Sequence, residues 1–351
     1  MPVRVAIVGA LGNLGSRLAI ALSQDPAFNL AVGVVQPDDN LIRALSALET
    51  NPELKSIIWA EEMFMAERHQ KVRNWNARQS LIKFKPVDQL SLKNSCDVVI
   101  DVTNYGSREL MRQYLDFKCP VILQSGAKIG NLISPPLVLP SADGIYRQGD
   151  CLVSALIPVL SAFNGLTSIR MHLIKQYGEQ LGDYPTYQRL NATYLCPDVV
   201  KYLMRELSQL LPEVRLEVEG VYQIPGLIYY TATLILELDQ AISGADLRNK
   251  LGSQPRLKVV GDQITSTYDI DYYLQARLQM AGSSLPPIIV YGSTLKPGKD
   301  EVAKRVYLQL AIYYKLIAVL PNIDALRILC LGEDPQTAMR RTDELAHQLP
   351  I

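Results

Sequence analysis

The sequence predicts an α/β protein, with a doubly wound parallel sheet at the N-terminal end and an α+β second domain whose sheet is largely antiparallel. Three observations predict it. Short apolar runs alternate with longer amphipathic stretches up to about Asp150. A glycine-punctuated turn joins the first run to the first amphipathic stretch. Beyond Asp150 the pattern changes to long β-rich runs with few helices between them.

The run "VRVAIVG" (Val3–Gly9) is almost continuously apolar, as a strand buried on both faces requires. A helix through "GSRLAIALSQ" follows it. "NLAVGVV" (Asn29–Val35) reads as the second strand and "DDNLIRALSALE" as the second helix. Further on, "CDVVIDVT" (Cys96–Thr103) is a strand, "GSRELMRQYLDF" a helix and "CPVILQS" (Cys119–Ser125) another strand. Strands and helices in alternation, bounded by turn residues, point to parallel pairing through crossover helices. A helix is expected from Cys151 to Phe163, then a strand at "SIRMHLIKQ" and a helix at "CPDVVKYLMRELSQLL" with apolar residues at helical spacing. The β-type runs "RLEVEGVYQIP", "GLIYYTATLILELD", "RLKVVG" and "PPIIVYGSTL" come next, and "PNIDALRILCLG" reads as a closing helix.

Bulk composition excludes several function classes. The 35 basic side chains balance 35 acidic ones and no basic block stands out, so the electrostatic footprint of a nucleic-acid binder is missing. No apolar run approaches the roughly 18 residues of a membrane span. A strand pattern is entered at once in "MPVRVAIVGA", so no signal peptide is expected. The five cysteines are odd in number, widely spaced and free of any CxxC pair, and there are three histidines. That pattern argues against a disulfide scaffold or a structural zinc site. The expectation is a cytoplasmic protein with reduced thiols and a small-molecule partner, binding neither nucleic acid nor membrane.

In "IVGALGNLG", Gly9, Gly12 and Gly15 stand three residues apart between the first strand and the first helix. Such a turn uses one glycine for its tight bend, one for close approach of a pyrophosphate and one for close helix–strand packing. The helix start, at Asn13 and Leu14, then offers backbone amides and a positive dipole end to the phosphates. After the second strand, Asp38 is the nearest carboxylate for an adenosine ribose and Arg43 the nearest cation, so NAD versus NADP stays open. Asn104 follows the "DVVIDVT" strand at its C-terminal end, where open α/β sheets bind ligands, and Lys128 in "QSGAK" is a candidate for the cofactor side.

In this order the segments resemble the archaeal-type branch of glyceraldehyde-3-phosphate dehydrogenase. "VRVAIVGALGNLGSRLAIAL" resembles that family's cofactor loop, with one extra residue between the first two glycines. "CDVVIDVT" with "VILQSGAK" resembles the strands that close its nucleotide domain. "CLVSALIPVL" falls where the family places its nucleophilic cysteine, and "CPDVVKYL" resembles its "GPDV" segment. "ITSTYDIDYYLQA" through "PNIDALR" follows its C-terminal pattern. The resemblance implies a Rossmann NAD(P)-binding domain over residues 1–149, a substrate domain over 150–319 and a segment, 320–351, that packs back on the first domain. It also implies a homodimer or homotetramer, and a thiolate at Cys151 that attacks an aldehyde before hydride passes to NADP or NAD.

A thiol near pKa 8.5 is mostly protonated at neutral pH and needs a helix N-terminus, a cation or a base to activate it. Cys151 has the helix start, but its neighbour Asp150 raises a thiol pKa. Leu152 and Val153 replace polar residues of the family pattern, leaving Ser154 as the nearby hydroxyl. The family's histidine precedes "GPDV"; here "NATYLCPDV" puts Tyr194 and Leu195 in those places. His172 is the histidine in the second domain that could act as a base instead. Lys175 lies where the family carries arginines near the substrate phosphate, and Tyr194 could donate a hydrogen bond to substrate. Two function classes follow: an NAD(P)-dependent oxidoreductase of an aldehyde or related small carbonyl, with phosphorylated substrates included, or a catalytically impaired nucleotide-binding or regulatory protein on the same scaffold.

Overall fold

The computed structural model describes residues 1–37, 39–50, 60–67, 69–78, 82–103, 110–124, 129–141, 144–176, 194–224, 229–275 and 286–346. The chain divides into two compact units, Met1–Asp150 together with Val319–Ile351, and Cys151–Ala318.

The first unit carries strands β1 (Val3–Val8), β2 (Phe28–Val35), β3 (Glu62–Met65), β4 (Phe84–Pro86), β5 (Val98–Asp101), β6 (Val121–Leu123), β7 (Asn131–Ile133) and β8 (Ile145–Gln148). Helices α1 (Asn13–Ser23), α2 (Asp39–Thr50), α3 (His69–Arg78) and α4 (Met111–Asp116) lie between them. The eight strands form one sheet in the order β4-β3-β2-β1-β5-β6-β8-β7, every pair parallel. The apolar run of β1 has a direct cause in this arrangement. Val5 and Ile7 enter one apolar cluster with Leu18 and Leu22 of α1, while Ala6 and Val8 enter a second one with Leu110 and Tyr114. One strand feeds two cores, so neither face can be polar. After β1 the chain builds β2, β3 and β4 outward on one side. It then returns to lay β5, β6 and β8 on the other, so strand order reverses at the β1/β5 boundary.

The second unit opens with α5 (Cys151–Leu160), in which every residue from Leu152 to Leu160 is buried. Its strands are β9 (Leu166–Gln176), β10 (Tyr194–Leu195), β11 (Arg215–Ile224), β12 (Tyr229–Ser243), β13 (Leu257–Val260), β14 (Ile288–Tyr291) and β15 (Val302–Tyr313), with α6 (Pro197–Leu210) and α7 (Gly244–Gly252) among them. The sheet order is β10-β11-β9-β12-β15-β14-β13. Antiparallel pairs predominate, but β11 with β9 and β13 with β14 are parallel, so the sheet is mixed. The sequence reading passed over β15, which pairs with β12 along most of its length. Its signal is a period of two: Val306, Leu308 and Leu310 are buried, and Arg305, Tyr307 and Gln309 between them are more open. Pro197 at the start of α6 loses no hydrogen bond there, and the Ser243 hydroxyl caps α7 by accepting from the Asp246 amide at 3.1 Å.

Two further helices, α8 (Leu320–Leu331) and α9 (Pro335–Ala346), belong to the first unit. Ile323, Leu326 and Leu345 join the cluster of Val5, Ile7 and Leu18. Arg327 of α8 pairs with Asp25 just after α1, and with Glu333 at 3.2 Å. Gly332, at φ 66°, ends α8 in the left-handed conformation that glycine adopts without strain. Among the described residues no helix is long and apolar enough to cross a membrane.

Candidate functional site

The glycine turn sits at the strand-order reversal, the place where open α/β sheets bind ligands. Gly9 adopts φ 85°, and a β-carbon there would meet the Val102 and Thr103 side chains that follow β5 at 3.1 and 3.3 Å. The amides of Gly9 and Ala10 both donate to the Val34 carbonyl of β2, and the Gly12 amide donates to the Gly9 carbonyl at 2.9 Å. Gly15 is fixed most tightly: a β-carbon there would lie 2.1 Å from the Gly9 oxygen. Glycine at this position lets α1 approach the end of β1 closely. The first intrahelical bond runs from the Ser16 amide to the Gly12 carbonyl, so the amides of Asn13, Leu14 and Gly15 have no intrahelical acceptor. With no acidic side chain in the first turn of α1, these amides and the positive helix end form a cradle suited to an anionic phosphate.

Beside it, the carboxyl ends of the strands carry buried polar side chains. Asp101 closes β5 fully buried and accepts from the Thr103 amide at 2.9 Å, the Thr103 hydroxyl at 2.6 Å and the Tyr114 hydroxyl at 2.8 Å. These bonds fix the turn after β5 against Gly9. Gln124, next after β6, donates from Nε2 to the Asn322 Oδ1 of α8 at 2.8 Å, and both side chains are buried. Gln148 closes β8 and is also buried. Sequence reading missed Asp101, Gln124, Gln148 and Asn322. The signal for the first three was a polar residue closing an apolar run, in "VVID", "VILQ" and "IYRQ". Asp38, Asn104 and Lys128 lie outside the described residues.

In the second unit Cys151 is half-buried at the first position of α5, directly after Asp150. Ser154, one turn along, is buried. Two other thiols are in a different condition. Burial pushes Cys96 up to about 12 despite Arg4 nearby, and burial likewise pushes Cys330 up to about 12. In both, burial disfavours the thiolate.

On β9 the side chains of Ile169, Met171 and Leu173 are fully covered, whereas His172 and Ile174, on the other face, are half-open. The His172 ring lies against Tyr222 of β11, centroids 5.1 Å apart. Lys175 belongs to the Met171 and Leu173 side, its Nζ 5.5 Å from the Tyr230 ring centroid. The structure therefore sends His172 and Lys175 to opposite faces of the sheet, and one pocket on β9 cannot use both. Tyr194 pairs through its backbone with Gln223 at the edge of the sheet. Two residues on, the Cys196 thiol donates to the Gln223 Oε1 at 3.7 Å.

With this geometry established, comparison with known proteins gives the following. No protein-family profile matches the chain. Glyceraldehyde-3-phosphate dehydrogenases 1 and 2 of Methanosarcina barkeri are 22% identical over 138 residues and 23% identical over 141 residues. These alignments cover 38% and 40% of this chain, so the chain matches about two fifths of the length of those relatives, 39% and 40%. Among solved structures, aspartate semialdehyde dehydrogenase of Candida albicans, determined with NADP, superposes with a TM-score of 0.61 over 98% of both chains at 11% identity. A probable aspartate-semialdehyde dehydrogenase of Pseudomonas aeruginosa gives 0.59 over 94% of this chain and 100% of its own, at 15% identity. The likeness over nearly the whole chain is one of fold: a Rossmann-type parallel sheet followed by a second domain built on a mixed sheet.

Proposed function

We propose that the protein is an NAD(P)-dependent oxidoreductase acting on an aldehyde or related small carbonyl compound, with Cys151 as its nucleophile. The single observation that supports this most is the cradle at the strand-order reversal, where a β-carbon on Gly15 would strike the Gly9 carbonyl and the first-turn amides of α1 stand open to an anion. Gly9, Gly12 and Gly15 would let the dinucleotide pyrophosphate approach, and the amides of Asn13, Leu14 and Gly15 would hold it. Bound dinucleotide, NADP or NAD, would supply a hydride acceptor. The relatives named for glyceraldehyde-3-phosphate and aspartate semialdehyde oxidation support an aldehyde as the other reactant.

The chain's own contribution begins at Cys151. Its thiol gives up a proton, favoured by the α5 N-terminus, and a sulfur lone pair forms a C–S bond to the carbonyl carbon. The carbonyl π pair moves onto oxygen, which takes up a proton, and the resulting thiohemiacetal carbon is ready to give up hydride. Lys175 would attract an anionic group on the substrate as a point charge. A second reading, a nucleotide-binding or regulatory protein on this scaffold, draws on His172 packing against Tyr222 and on the apolar Leu152 and Val153 beside the thiol.

Titration calorimetry with NADPH, NADP⁺, NADH and NAD⁺ tests the first reading. Micromolar or tighter binding of at least one is expected, and binding of none overturns it. If cofactor binds but a Cys151→Ser variant keeps full turnover of an aldehyde substrate, covalent catalysis is excluded.

A further inference from the structure

Gln148 is the one described residue whose buried side-chain amide has neither its oxygen nor its nitrogen hydrogen-bonded within the chain. It is 1% exposed and closes β8, three residues before Cys151. Burying a carboxamide with no partner forfeits its bonds to water without replacement, so native chains rarely do it unless something else supplies the partner. Its surroundings indicate what that partner is. Leu123 of β6 pairs with Arg147 of β8, so the register carried one residue further sets Gln124 beside Gln148. Ile122, Tyr146 and Ile133 share one apolar cluster with Ile323 of α8, which puts Gln124 and Gln148 on the same face of the sheet by strand alternation. Gln124 on that face is already bonded to Asn322. A row of buried amides therefore lines the carboxyl ends of β6 and β8, on the side of the strand-order reversal opposite β2.

We propose that Gln148 is a ligand-recognition residue, its amide reserved for a planar group that presents a hydrogen-bond donor and an acceptor side by side. This rests on the function proposed above and deepens it. In a doubly wound sheet the two halves of a dinucleotide lie on either side of the reversal. With the adenosine half on the β2 side, the half over β5, β6 and β8 carries the nicotinamide ring, whose carboxamide is such a group. Gln148 then selects the carboxamide by pairing Nε2 with its oxygen and Oε1 with its N–H.

The test uses the full chain, with Gln148→Leu and the length-matched Gln148→Met as variants. Calorimetry compares the preferred nicotinamide dinucleotide, its 3-acetylpyridine analogue, in which methyl replaces the amide NH₂, and the matching ADP-ribose, which lacks the ring. The wild-type chain is expected to prefer the carboxamide dinucleotide to the acetylpyridine analogue by tenfold or more. Both variants should lose that preference while binding the ADP-ribose within twofold of wild type. A variant that keeps the preference overturns the proposal, most plainly if it also melts higher, because the orphaned amide then holds only internal water. Wild-type binding of ADP-ribose and dinucleotide with equal affinity also overturns it, but leaves the cofactor reading standing. No binding of any probe removes both.

Discussion

Gly15 shows how much a single missing β-carbon decides. The nearest atoms to that absent carbon are all backbone, the Gly9 oxygen at 2.1 Å, the Gly9 carbon at 2.9 Å and the Ala10 carbon at 3.0 Å, so no side chain can swing aside. Gly15→Ala must push α1 away from the turn. A loss of about 1–3 kcal/mol in denaturant-measured stability is expected, as for overpacked cores, together with at least tenfold weaker dinucleotide binding by calorimetry. The thiols differ as sharply. Burial pushes Cys96 and Cys330 up to about 12, well above an ordinary cysteine near 8.5, so both are held far more firmly as thiols at pH 7. Iodoacetamide labelling followed by peptide mapping should modify Cys151 first, with Cys96 and Cys330 untouched in the folded protein. Equal rates at all three would show that Cys151 has no activated thiolate. The spacing of Gly9, Gly12 and Gly15 was legible in the sequence because glycines three residues apart, between an apolar run and a helical one, mark a tight strand-to-helix turn. Gln148 was not, because its isolation depends on what strands and helices from elsewhere bring around it.

At the level of elements, the helix ends carry a pH dependence with a definite sign. The Thr337 hydroxyl and then the Thr337 amide hold the Asp334 carboxyl below the usual carboxylate range, at the start of α9. Its oxygen accepts from the Gln336 and Thr337 amides, both at 3.1 Å. A carboxyl with a lowered folded-state pKa contributes its stability above the unfolded value, near 3.9, and loses it as pH falls through the folded one. Asp334→Ala should therefore melt below wild type at pH 7, with the gap closing on acidification below about pH 4. A gap that stays constant from pH 7 to pH 2 would remove the charged cap from the account. Elements with one strong period were readable in advance: β1, α1, α6 and β12 all follow from apolar runs or helical spacing. The helix expected from Cys151 to Phe163 ends at Leu160, with Pro158 in its last turn withholding an amide. Short strands such as β3, β4, β7 and β8 have three or four residues each, too few for a period to declare itself.

Over the whole molecule, the C-terminal segment is tied to the N-terminal one by charge as well as by packing. Arg327 is buried against Asp25 and Glu333, and it also faces the Phe28 ring at 5.8 Å. Glu333 is shared with the more open Arg341. Removing one partner of a buried pair leaves the other charge uncompensated, which costs about 3–5 kcal/mol. Asp25→Ala should show a loss of that size in urea denaturation, whereas Arg341→Ala, at the exposed edge of the cluster, should lose no more than about 1 kcal/mol. Equal small losses would mean that Glu333 alone satisfies Arg327.

The sequence by itself determined the fold class, the glycine cradle and the position of Cys151 at a helix start. Each is written in local order: apolar period, glycine spacing, and a small residue ahead of an apolar run. Tertiary structure alone decided which polar residues meet. Gln124, Gln148 and Asn322 become one polar rim only because parallel pairing aligns the ends of strands distant in sequence and α8 returns to them, while Asp101 meets Tyr114 on the other face of the sheet. The same three-dimensional order separates His172 from Lys175, since alternation along β9 sends side chains three residues apart to opposite faces.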